Sequence, residues 1–187
     1  MSERDQQILE AAIAQFSRYG VRKATMGDIA AGAGISRQTL YARYANKAEI
    51  IDAAMRLITE KVVGQVSEAW LEAGSISEKL DIFLDYAIVR FFDQVKQMPD
   101  SIDLMTGSGD GGTSARHGAE QGKIDLLAGL FEARRDKLTA NGTSPRDLAD
   151  FFYQGSASFL FTARDLGHLK ALLASLKRTT LMMLGES

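Results

Sequence analysis

Seven side chains between positions 25 and 47 are of types that hydrogen-bond to nucleic acid: Thr25, Arg37, Gln38, Thr39, Tyr41, Arg43 and Lys47. A guanidinium such as Arg37 can pair bidentately with guanine and an amide such as Gln38 with adenine, while Thr39 can meet a thymine methyl or a phosphate. Tyr41 and Arg43 offer further phosphate donors. Thr25 and Lys47 stand at expected helix starts, where unpaired amides and the helix dipole favour an anion. Taken singly, each has an ordinary structural explanation: Thr25 and Ser36 cap helices in any helical protein, Tyr41 and Tyr44 can pack, and exposed cations are usually just solvated. What makes the seven a set is their spacing along two short helices joined by a turn.

That spacing follows from local signals. Thr25-Met26-Gly27-Asp28 forms a capping box, and Gly34 can take the left-handed conformation of a tight turn. Ser36 opens the next helix, with Ile35 and Leu40 placed to staple its entry, and Leu40 and Tyr44 are expected to face inward. Gln38, Tyr41 and Ala42 then point outward, flanked by Arg37 and Thr39. Ala30 and Ala33 allow the two helices to cross closely. A helix-turn-helix follows from this geometry, with the helix at Ser36 as the one that enters a major groove. Before it lies a helix with Ile8, Leu9, Ala12, Ile13 and Phe16 on one stripe and Gly20 as its stop. After it, Asn46 and Glu49 cap a fourth helix that buries Ile50, Ile51, Ala54, Leu57 and Ile58.

The rest of the 187-residue chain also has helical periodicity. Only Pro99 and Pro145 interrupt it and no segment alternates as a strand would, so the expected fold class is all-α, with about nine helices. A three-helix helix-turn-helix domain is expected over residues 1–62 and a larger helical bundle over 63–187. In the bundle, Ser75 opens a helix carrying Leu80, Phe83, Leu84, Ala87, Ile88, Phe91 and Val95. Pro99 begins a short helix to Met105, and Gly107 to Gly118 reads as a mobile loop. Further helices are expected over about 121–140, from Ser144-Pro145 to about Ala163, and along the leucine stripe from Leu169 to Thr180.

Composition narrows the possible functions. The net charge of −2 divides unevenly: nine basic against seven acidic residues give +2 through Gly64 and leave −4 beyond it. That pattern suits a basic reader on an acidic body. With no cysteine there is neither a disulfide framework nor a thiolate zinc site, which fits a reducing cytoplasm. The apolar runs are too short to span a membrane, and the charged start Met1-Ser2-Glu3-Arg4-Asp5 does not read as a signal peptide. His117 and His168 lie far apart with no acidic neighbours at ligand spacing, so no metal, cofactor or catalytic residue is expected. Gly107 to Gly112 satisfies GxGxxG, but without the preceding strand that a dinucleotide site requires.

The stretch TMGDIAAGAGISRQTLYARYANK, together with Ile8-Leu9-Glu10-Ala11-Ala12, Phe16 and Tyr19-Gly20, resembles the N-terminal domain of the TetR family of regulators. The likeness is specific over about the first third of the chain; the body resembles the family only in length and helical layout. Two positions depart from common usage: Gly27 stands where some members carry a larger base-contacting side chain, and Ala42 where many carry an aromatic.

The resemblance implies a cytoplasmic, ligand-responsive DNA-binding regulator and not an enzyme. It further implies that Thr25, Arg37, Gln38, Thr39, Tyr41, Arg43 and Lys47 face double-stranded operator DNA, and that the protein is a repressor released from a palindromic operator by a small molecule. In the body it implies an effector cavity, with Phe83, Tyr86, Met105, Phe131 and Phe152 as lining candidates. A homodimer interface is expected on the last two helices, around Gly155, Phe159, Leu169, Leu172 and Leu176. Two alternatives remain at this stage: a helical adaptor or ligand-binding protein whose acidic body binds another protein with DNA incidental, and a helical enzyme or carrier, for which no polar cluster is visible.

Overall fold

A computed structural model of the chain describes residues 1–97 and 113–186, with side chains from residue 120 onward in the second stretch. Every regular element among the described residues is helical, in agreement with the all-α expectation. The chain divides into two compact units, Met1–Thr59 with Gln97–Glu120, and Glu60–Lys96 with Gln121–Ser187.

In the first unit, α1 (Glu3–Tyr19) starts with a capping box between Ser2 and Asp5 and stops at Gly20, whose φ is 81°. α2 (Met26–Gly32) starts with the expected box. The Thr25 hydroxyl accepts from the Asp28 amide at 3.2 Å, and the Thr25 amide donates to the Asp28 carboxylate at 3.0 Å. α2 ends two residues before Gly34, which sits at φ 63° and lets the Ile35 amide reach back to the Ala30 carbonyl at 3.0 Å. α3 (Arg37–Tyr41) is shorter than its hydrophobic spacing indicated. Tyr44 falls in the turn after it, although it still packs, half-buried, on the same core. α4 (Lys47–Ala69) is capped by Asn46 and Glu49 as expected. Ile8, Leu9, Ile29, Leu40 and Ile50 are fully or almost fully buried together in this core.

In the second unit, α5 (Ile76–Ala87) opens on the Ser75–Glu78 box. The single helix expected from Ser75 past Val95 is broken. Ile88 leaves helical geometry, a 3-10 turn covers Val89–Phe91, and α6 (Phe92–Gln97) follows. The break shifts the apolar stripe by one residue, so that Phe92 is buried and Phe91 only half so. It also brings the Arg90 guanidinium 3.6 Å from the Tyr86 ring centroid and 2.9 Å from the Asp85 carboxylate.

The helix expected over 121–140 starts earlier and is likewise divided. α7 (Thr113–Phe131) is followed by a 3-10 turn at Glu132–Arg134 and by α8 (Arg135–Ala140), which stops at Asn141-Gly142. Residues from Thr113 are therefore helical where a loop to Gly118 was expected. The remainder of that stretch, with the Pro99–Met105 helix and the GxGxxG run, lies outside the described residues. α9 (Pro145–Thr162) is capped by Ser144, and α10 (Leu166–Leu184) by Asp165. α10 packs against α5, α8 and α9. The core centres on Phe83, Phe131 and Phe152, each with no exposed surface, and the rings of Phe83 and Phe152 lie 6.2 Å apart.

Candidate nucleic-acid interface

The surface around α3 is built from a small buried anchor and a larger exposed rim. Leu40 is the only buried residue of α3 and holds it on the core of the first unit. Ser36 fixes its start: the Thr39 amide donates to the Ser36 hydroxyl at 3.0 Å, and the two hydroxyls lie 2.8 Å apart. Arg37, Gln38 and Tyr41 are exposed, Tyr41 by 52% despite its aromatic ring, and Thr39 is partly covered. Gln38 and Tyr41 are positions the sequence places outward and Arg37 and Thr39 the ones flanking them, and all four stand on one short helix.

The other three predicted residues surround α3 with their polar groups already engaged. Thr25 is exposed, but its hydroxyl donates to Asp28 at 2.6 Å. These Thr25 hydrogen bonds, with a smaller contribution from the Arg37 charge, hold the Asp28 carboxyl below its ordinary range. Arg43 donates to the Asp5 carboxylate at 2.5 Å and reaches the Ser2 hydroxyl at 3.3 Å. Asp5 is itself held low, first by its Ser2 hydrogen bond and then by Arg43. Lys47 donates to the Val21 carbonyl at 3.0 Å. Burial raises the Tyr44 hydroxyl pKa, and the neighbouring Asp5 charge adds to the effect.

Sequence reasoning missed Ser2, Asp5 and the Val21 carbonyl as partners of these cations. It also missed the role of Gly27 as the surface on which Arg37 rests. A Cβ built on Gly27 would overlap the Arg37 guanidinium, with Cζ and Nε both at 2.8 Å. The absence of a side chain at position 27 is the one signal for this contact that the sequence carries.

In the second unit, Phe83, Phe131 and Phe152 form the packed centre and Tyr86 is half-buried beneath Arg90, while Met105 lies outside the described residues. A surface cleft of about 460 Å³ lies between α5 and α10, lined by residues including Asp81, Leu84, Asp85, Leu173, Lys177 and Leu181 and by none of the predicted pocket residues. Of the predicted interface residues, Leu169 is sealed within the core of its own chain, so no surface is left on it for a partner. Leu176 packs within the chain as well: its Cδ2 lies 3.4 Å from a Cβ built on Gly155. Phe159, Leu172 and Leu176 keep partial exposure, whereas Phe151 and Met182 on the same two helices are exposed by 58% and 72%. No group of three or more His, Cys, Asp or Glu side chains suited to a metal occurs among the described residues. No helix among them is long and apolar enough to cross a membrane.

A brief helix carrying exposed Arg, Gln and Tyr, braced by a second short helix across a glycine turn, defines the class of helix-turn-helix proteins. Residues 8–54 match the profile of bacterial regulatory proteins of the tetR family. The probable acrEF/envCD operon repressor of Escherichia coli K12 is 33% identical over 73 residues, which are 39% of this chain and 26% of that protein. The chain therefore matches only about a quarter of that relative's length. Solved structures are similar over nearly the whole chain. A fatty acid degradation regulator FadR from Bacillus halodurans aligns at TM-score 0.70 and 18% identity, covering 97% of this chain and 96% of its own. A SmeT–triclosan complex aligns at TM-score 0.61 and 17% identity, covering 97% and 91%. At these identities the likeness establishes the fold: an N-terminal helix-turn-helix with a helical C-terminal body.

Proposed function

We propose that the protein is a ligand-responsive transcriptional regulator that binds double-stranded operator DNA through α3 and represses transcription until a small molecule releases it. The observation that carries this reading is the exposure of Arg37, Gln38 and Tyr41 on a helix whose single inward residue is Leu40. A packing helix would hide an aromatic of this size; here the ring faces solvent beside two groups suited to base edges. The match of part of the chain to curated repressors supports the reading.

A homodimer would set two copies of α3 in successive major grooves of a palindromic site, roughly 34–36 Å apart. The exposed apolar side chains Phe151 and Met182, with the small residues around Gly155, make α9 and α10 the proposed contact between subunits. An effector of apolar character would enter the body by parting the aromatic centre around Phe83, Tyr86, Phe131 and Phe152. Such sites are mostly apolar with a few polar groups, and triclosan in the SmeT complex is a ligand of that kind. This activity places the protein beside the chromosome, in the cytoplasm.

The test is a gel-shift titration of the full-length protein against the DNA upstream of its own coding sequence. Retention that competitor DNA of random sequence fails to remove, and that Arg37→Ala and Tyr41→Phe each weaken, is expected. If wild type and both variants bind that DNA no better than random duplex, the reading is wrong.

A further inference from the structure

We propose that Gly27 is a positioning residue for Arg37, so that the identity of the base pair read by Arg37 is set jointly by one position on α2 and one on α3. The inference rests on the proposed DNA reading and adds a residue that has no side chain of its own with which to touch a base.

Arg37 is the first residue of α3, and Gly27 is the second residue of α2. The guanidinium of Arg37 lies directly over the Gly27 backbone: Nε and Cζ sit 2.8 Å from where a Cβ would stand, closer than real Cβ contacts come, and Nη2 is closer still. Any other residue at 27 must therefore push the guanidinium aside. Beside it is Asp28, whose carboxylate is held by the Thr25 amide and hydroxyl at 3.0 and 2.6 Å. A carboxylate fixed by its own capping box is a stationary negative charge, and it attracts the Arg37 guanidinium. The open surface of Gly27 admits a pose of this exposed side chain that a Cβ would exclude. A guanidinium reads guanine through a planar fork, so its orientation decides whether the bidentate pair forms. Displacing it alters base preference more than total affinity, because phosphate contacts elsewhere carry the sequence-independent part of binding.

The test compares wild type, Gly27→Ala, Arg37→Ala and the double variant, each full length, by one round of selection from a randomised duplex library followed by sequencing. Gly27→Ala adds a helix-favouring residue at a helical position, so thermal unfolding by circular dichroism is expected at or above the wild-type temperature. The expected result is that Gly27→Ala weakens the preference at one base pair of each half-site by about tenfold, within the range of a bidentate arginine–guanine pair. Arg37→Ala should abolish preference at that same pair, and adding Gly27→Ala to it should change that preference no further. If Gly27→Ala enriches the same bases as wild type to within twofold, or lowers preference equally with and without Arg37, the positioning role is refuted while the DNA reading stands. If wild type enriches no sequence at all, both fall together.

Discussion

Leu40→Ala isolates the single side chain that fixes α3. Leu40 has no exposed surface, and the substitution removes three carbons from a filled site. At about 0.8 kcal/mol per buried methylene, the transfer term is about 2.4 kcal/mol. The cavity left behind adds to it, and Leu→Ala changes in packed cores fall at about 2–5 kcal/mol in total. A loss of about 3 kcal/mol is expected, because α3 is five residues long with no second buried side chain to share the load. That loss is more than a hundredfold in an equilibrium constant at about 1.4 kcal/mol per decade. The effect should be local before it is global. The amides of Ala42, Arg43 and Tyr44 bond to the carbonyls of Gln38 and Leu40 at 3.0 Å, so their hydrogen exchange reports whether α3 stays docked. The assay is exchange followed by NMR in native buffer, paired with a denaturant titration. Exchange at residues 42–44 within twofold of wild type, together with a stability loss under about 1 kcal/mol, would refute the argument that Leu40 anchors the helix.

Gly34→Ala should destabilise the first unit by about 1–2 kcal/mol through backbone strain alone, since φ is 63° and no atom lies within 4 Å of the added methyl; a chemical denaturation curve measures it. Phe152→Ala should cost about 3–5 kcal/mol and lower the calorimetric unfolding temperature of the body, because the ring is fully buried against Phe83. Asp5 has a folded pKa below its ordinary 3.8, so its contribution to stability is complete above that value and is lost as pH falls through the lower folded pKa. Replacing Asp5 with Asn should therefore flatten the acid limb of a stability–pH profile taken between about pH 2 and 6.

The helix starts were legible because capping is chemistry within four residues. Thr25 with Asp28, Asn46 with Glu49, Ser75 with Glu78 and Ser144 before Pro145 all mark starts that the structure contains. The interruptions at Ile88 and Glu132 were not legible, since no glycine or proline marks either one. At the first, which side of the helix faces the core is settled by whether Phe91 or Phe92 finds room there, and that depends on residues distant in sequence. The same limit applied to the site. The outward set of Gln38, Tyr41 and Ala42, with Arg37 and Thr39 flanking it, followed from Leu40 and Tyr44 facing inward, a relation inside one stretch of helix. The engagement of Arg43 by Asp5 joins residues 38 apart, and that of Lys47 by the Val21 carbonyl joins residues 26 apart, beyond the reach of any periodicity.

The ion pair between Arg43 and Asp5 has a consequence for how ionic strength acts on the protein. A cation that meets a nucleic-acid backbone ordinarily displaces a condensed small ion, and each such event contributes about 0.9 to the slope of log affinity against log salt. Arg43 arrives with a carboxylate already covalently tethered beside it. A phosphate oxygen that replaced Asp5 would have to break this pair, so part of the charge of Arg43 is neutralised before any backbone contact. In the proposed complex Arg43 would thus contribute less to the salt dependence than an unpaired cation, and removing Asp5 would raise its share without adding a new contact.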